Sequence, residues 1–217
     1  MRRMLMVIAA VAFANAPLAA QWMGMPAWNN PKGGSGLTIY GDVGIPNSNL
    51  GEGTAFGARA TFGMANLSLT AGVSSWSPKD VGASSTSWGG VAEFRVIGGS
   101  LMPVALNLQL GAATASAINT ATDSIPKMTN AIAGAGLSVN VPTPGLSIEP
   151  YVSISNRWHA PSGGSTTSNF GWVIGANAGF GMWGLHLAYD SEKLDDGSTA
   201  SVWGVGAHLS FKAPMGM

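Results

Sequence analysis

The sequence predicts an all-β protein, a ten-stranded antiparallel up-and-down transmembrane β-barrel, and three observations carry that expectation. Only 9% of its 217 residues are charged, against about 25% in a typical soluble domain. Apolar residues recur at every second position through ten successive segments, the period of a strand with two unlike faces. The connections alternate between long polar stretches and short turns, the plan of a spanning barrel with an even strand number.

Arg2 and Arg3 precede the apolar stretch Leu5 to Ala14, and the small residues Ala19 and Ala20 follow. This pattern predicts a signal peptide over residues 1–20, cut after Ala20. The apolar run is about half of what a spanning helix needs. Removing the leader leaves eight basic and ten acidic side chains. Residues 21–35, with Pro26, Pro31, Gly33 and Gly34, read as an irregular periplasmic lead-in. Residues 36–217 form the barrel.

The first three strands are marked by Leu37, Ile39, Val43 and Ile45, by Phe56, Ala58, Ala60 and Phe62, and by Leu67, Leu69, Ala71 and Val73. Trp88, Ala92, Phe94 and Val96 mark the fourth, and Val104 through Ala112 the fifth. Alternation continues from Ala131 to Val141, Leu146 to Ile154, Phe170 to Phe180, Trp183 to Tyr189, and Trp203 to Phe211. Trp76 breaks the parity of its strand, which predicts a bulge there. Long connections are expected near 46–53, 75–87, 114–129, 159–169 and 191–200, and short ones at 63–66, 98–103, 142–145 and 181–183.

The opposite parity holds Gly, Ser, Thr, Asn and Gln, together with Asp42, Arg59, Glu93, Arg95, Glu149, Arg157, Asp190 and Lys212. A soluble sandwich and a membrane barrel both fit such alternation. The polar face is too poor in charge to keep a sandwich soluble, so the barrel is preferred. Aromatics gather at strand ends: Trp76, Trp88, Trp158, Trp172, Tyr189 and Trp203 beside long loops, Phe62, Phe180, Trp183 and Phe211 beside short turns. Of these, Trp88, Trp158, Trp172, Trp183, Tyr189, Trp203 and Phe211 are the expected lipid-interface girdle. A ten-residue strand tilted about 40° rises about 25 Å, the height of the apolar band.

With these features the chain resembles the small outer-membrane β-barrel proteins of Gram-negative bacteria, the opacity- and porin-like group. Gly206, Leu209 and Phe211 are similar to the assembly signal of such barrels, although Lys212 to Met217 follow here. The resemblance implies outer-membrane localisation with both termini periplasmic. It implies lipid and lipopolysaccharide as surroundings, and the barrel-assembly machinery and periplasmic chaperones as partners in biogenesis. A formal net charge of zero gives no nucleic-acid partner, and the absence of cysteine removes thiolate chemistry.

Ten strands enclose a backbone radius of about 10 Å, so the inward side chains decide the fate of the lumen. The candidates are Asp42, Arg59, Glu93, Arg95, Glu149, Tyr151, Arg157, His186, Asp190, His208 and Lys212. Their matched signs predict internal ion pairs. Inward glycines either let the wall bend or leave room for water. His186 and His208 are of types that permit a pH gate or a metal pair, but no ligand spacing in the sequence supports one, so no metal or cofactor is assigned. His208 and Ser210 share the inward face, away from lipid, and His159 with Ser162 falls in a loop; no catalytic residue is assigned and no enzyme is expected. Met-Gly-Met at 23–25 and 215–217, with Met64, Met102 and Met182 in short turns, places thioethers at one rim, a soft ligand set suited to Cu(I). The expected function is an integral barrel acting as a narrow porin-like channel for small solutes. The alternative is a closed structural or surface-interaction barrel without transport, with adhesion-like loops.

Overall fold

The computed structural model describes residues 22–99, 102–121 and 124–212, without the side chains of Pro142 and Lys212. The expected leader, the Met-Gly-Met at 215–217 and the side chain of Lys212 lie outside the described residues.

Among the described residues thirteen strands follow one another: β1 (Gly36–Pro46), β2 (Thr54–Met64), β3 (Leu67–Ser77), β4 (Ser85–Gly99), β5 (Met102–Ala115), β6 (Ile118–Asn119), β7 (Ser124–Ile125), β8 (Met128–Val139), β9 (Val141–Thr143), β10 (Leu146–Pro161), β11 (Thr167–Phe180), β12 (Trp183–Lys193) and β13 (Thr199–Lys212). Ten are long and pair antiparallel with their neighbours around a ring. The ring closes where β1 pairs with β13, Gly36 opposite Lys212 and Pro46 opposite Val202. β6 and β7 form a separate small hairpin in the connection between β5 and β8. Closure removes the free sheet edges, so that the long strands bond to a neighbour on each side, as lipid requires.

The outward face is apolar on every long strand. Leu37, Phe56, Leu69, Phe94, Leu110, Leu137, Ile154, Ile174, Leu185 and Val205 are all exposed. A soluble monomer does not carry an apolar belt of this extent, and lipid is the solvent that suits it.

One local expectation is corrected. β3 keeps an unbroken register through Trp76, which lies opposite Ala55 on one side and Ser85 on the other. Trp76 is buried inside the barrel, and its Nε1 donates to the Glu52 carbonyl at 3.1 Å. The bulge lies instead in β4, where register shifts fall between Arg95 and Ile97 and between Ile97 and Gly99. It lets the consecutive residues Val96 and Ile97 both face outward, and Gly98 supplies the left-handed φ of 119° that the kink needs.

The larger correction concerns residues 22–35, expected in the periplasm ahead of the barrel. The segment is irregular, but it runs through the lumen. Met23 meets Ser74 and Ser87 at the long-loop end. Gly33 and Gly34 approach Ser68 and Gly63 at the short-turn end, where β1 begins. Trp22, Met25, Ala27, Trp28 and Asn29 are buried. Met23 and Met25 therefore stand at the opposite rim from Met64, Met102 and Met182, and the single methionine rim expected from the sequence is not formed.

Candidate functional site: a plugged lumen

Inward parity puts a side chain into the lumen at every second residue of each strand, and the luminal wall holds the segment by its backbone. Three carboxylates accept from main-chain amides: Asp190 from Ala27 at 2.6 Å, Glu93 from Asn30 at 3.1 Å and Glu149 from Lys32 at 3.1 Å. Arg95 donates to the Lys32 carbonyl, Asn107 to the Asn29 side chain at 2.7 Å, and the Lys32 ammonium to Asn140 at 2.7 Å. Hydrogen bonds with one charged partner are the stronger class, and each carboxylate here bonds the plug as well as a wall group.

Glycines in the wall make the room. A Cβ at Gly204 would collide with Pro26 and Trp28, and one at Gly72 with Arg59 and Trp22. Gly171 receives the Arg157 guanidinium, Gly175 the Tyr151 ring, Gly184 the His208 ring and Gly206 the His186 ring. At these six positions inward glycine is thus space for a neighbour's large side chain or for the plug.

All the candidate lumen residues with described side chains lie on the inner face. In the short-turn half, Arg59 bonds Asp42 at 2.8 Å and lies over Tyr40 and Trp28, 3.9 and 4.8 Å from their ring centres. His186 Nε2 stands 2.5 Å from Asp42 Oδ1. In the long-loop half, Arg157 bonds Asp190 at 2.7 Å and Glu192 at 3.2 Å. Arg157 is 1% exposed and Asp190 2%, so neither has water to replace its partner. Glu192 also accepts from Asn169 at 2.9 Å and from His159 at 2.5 Å, and His159 Nδ1 stands 2.9 Å from Asn130.

Glu192, His159, Asn169 and Asn130 fall outside the strand limits that the apolar alternation marks, because these strands extend past their last apolar position at the long-loop end. β10 runs to Pro161 and β12 to Lys193. The signal was present: His159 shares the parity of Arg157, and Glu192 that of Asp190. With Trp22, Met23 and Met25 as its floor, this group surrounds a cavity of about 260 Å³ at the long-loop end. Below it, the gap between Trp22, Trp28, Tyr40 and Arg59 offers only about 10 Å³, room for one water at most.

No serine lies on a free imidazole among these groups. His208 faces His186, Ser210 pairs with Thr38 at 3.1 Å, and Glu149 is held by Ser138 and the plug. On the outside, Trp88, Trp158, Trp172, Trp183, Trp203 and Phe211 are exposed, and Tyr189 packs between Trp172 and Trp203 at 5.6 and 4.8 Å.

The closed ring, apolar outside and polar inside, defines a transmembrane β-barrel with an internal plug. Among solved structures the chain is similar to the β domain of the Bordetella autotransporter BrkA, with a TM-score of 0.51 at 12% identity over 83% of this chain and 100% of that one. It is also similar to the N-terminal β-barrel domain of Pseudomonas aeruginosa OprF (0.43, 11%, 82% and 99%) and to LpxR from Salmonella typhimurium (0.43, 10%, 89% and 79%). The fold is that of the small outer-membrane β-barrels of Gram-negative bacteria. No protein-family model matches the sequence, and no curated protein matches it.

Proposed function

We propose that this protein is an integral outer-membrane barrel kept closed by its own N-terminal segment, acting at the membrane surface and not as an open pore. The observation that carries this reading is the passage of residues 22–34 along the lumen, gripped by Asp190, Glu93 and Glu149. A narrow solute channel requires that segment to leave.

With short turns in the periplasm, as in bacterial barrels, the end of β13 is periplasmic and Trp22 points toward the cell exterior. Trp22 and the end of β13 then lie on opposite sides of the membrane. The 260 Å³ cavity opens among the surface loops in this orientation. The barrel is read as non-enzymatic: its histidines face the lumen, away from lipid, and among the described residues their hydrogen-bond partners are Asp42, Arg59, Glu192, Asn130 and each other, with no serine or threonine hydroxyl bonded to any of them. Lipid and lipopolysaccharide surround it, and chaperones and the barrel-assembly machinery serve its biogenesis.

Planar-bilayer recording of the refolded full-length protein tests the proposal. A silent bilayer, with folding and insertion shown separately, is the expected result. Steady discrete conductance steps from the unmodified protein overturn it.

A further inference from the structure

We propose that His186 and His208 form a site for one divalent cation that favours imidazole, Zn²⁺ foremost, in the short-turn half of the lumen. The two residues project from the inner faces of the neighbouring strands β12 and β13, and their rings stack with centroids 5.6 Å apart at 30°. Their Nδ1 atoms face each other at 3.3 Å. Two nitrogens each held 2.0–2.1 Å from a tetrahedral ion stand about 3.3 Å apart, so the spacing of the pair matches the bite of such an ion.

A second observation concerns the far side of His186. Its Nε2 stands 2.5 Å from Asp42 Oδ1, so Nε2 carries the proton and donates to the carboxylate. That fixes the tautomer and turns the Nδ1 lone pair toward His208. Metal-bound imidazoles are oriented by a carboxylate in this way. Without an ion, His208 Nδ1–H donates to His186 Nδ1. With an ion, His208 takes the other neutral tautomer and both Nδ1 lone pairs meet the metal, with water completing the shell. Arg59 lies 3.2 Å from His186 Nε2, and its charge is matched by Asp42 at 2.8 Å.

The wall is shaped for both rings, since a Cβ at Gly184 or Gly206 would overlap one of them. His186 is buried and His208 is partly open, so an ion enters past His208. Trp28 of the plug packs edge-on against His186 at 4.7 Å, so the site lies beside the plug.

Titration calorimetry of the full-length protein in detergent micelles with ZnCl₂ tests the site. One Zn²⁺ per barrel is expected, lost in His208→Ala and in His186→Ala and unchanged in His159→Ala. Asp42→Asn is expected to weaken binding about 10- to 100-fold, as loss of an outer-shell partner does. Should His186→Ala fail to fold, the more exposed His208→Ala still decides the matter, and Zn²⁺ protection of His208 from diethyl pyrocarbonate gives a second readout in the unmodified protein. Absence of stoichiometric binding, or binding that survives His208→Ala, overturns the proposal.

Discussion

Replacing Glu93 and Glu149 together by glutamine removes charge from two of the three grips on the plug and leaves their shape intact. Each carboxylate accepts one plug amide, from Asn30 and Lys32, and one wall group, from Asn107 and Ser138. A hydrogen bond to a charged group contributes about 1.5–3 kcal/mol and a neutral one about 0.5–1.5, so each exchange weakens the plug by about 1 kcal/mol. The pair then costs about 2 kcal/mol, a factor of about 30 in the population with the plug displaced. Single-channel recording reads that factor directly as open probability. The unmodified barrel stays shut, the double variant opens about 30 times as often, and deletion of residues 22–34 leaves a permanently open lumen. A deletion variant that is folded, inserted and still silent refutes the idea that this segment closes the barrel. A deletion that opens, beside a double variant no different from the parent, refutes the role given to the carboxylates.

Arg157→Ala leaves Asp190 and Glu192 buried beside each other without their cation, and a loss of about 3–5 kcal/mol is expected, read as a lower urea midpoint for the barrel in detergent. Gly204→Val drives a side chain into Pro26 and Trp28; overpacking of this kind costs about 1–3 kcal/mol, and bilayer recording should show flickering openings as the plug is pushed aside. Leu187→Arg puts a charge on the outward face of β12 and is expected to cost about 2–4 kcal/mol in a bilayer if that position is near the midplane, measured by unfolding titration in liposomes.

The barrel was legible because lipid outside and polar groups inside impose one parity rule on every strand. Leu37, Phe94 and Trp203 obey it as plainly as Asp42, Glu93 and Arg157 do. Strand ends were less legible, because Glu192 and His159 look like loop residues once the outward partner stops being apolar. The plug was illegible for a different reason. Trp22, Pro26, Trp28 and Pro31 have no period, and proline with glycine reads as a connector wherever it occurs. Trp76 held the clue: an aromatic that turns inward in a regular strand needs something apolar inside the barrel to meet.

Charge accounting points the same way. Among the described side chains of the luminal wall, Asp42, Glu93, Glu149, Asp190 and Glu192 are matched by three cations, Arg59, Arg95 and Arg157, with the Lys32 ammonium of the plug bonded to Asn140. Arg59 bonds Asp42, and Arg157 bonds Asp190 and Glu192, while Arg95 turns to the Lys32 carbonyl and to the Ala65–Asn66 turn. Glu93 and Glu149 thus have no wall arginine bonded to them. Their hydrogen bonds come from the amides of Asn30 and Lys32, beside Asn107 and Ser138. A buried carboxylate without such donors is costly, so the wall and the plug need each other. Matching of sign between wall residues alone, the arrangement expected from the sequence, leaves two acids over, and the segment read as a lead-in is what satisfies them.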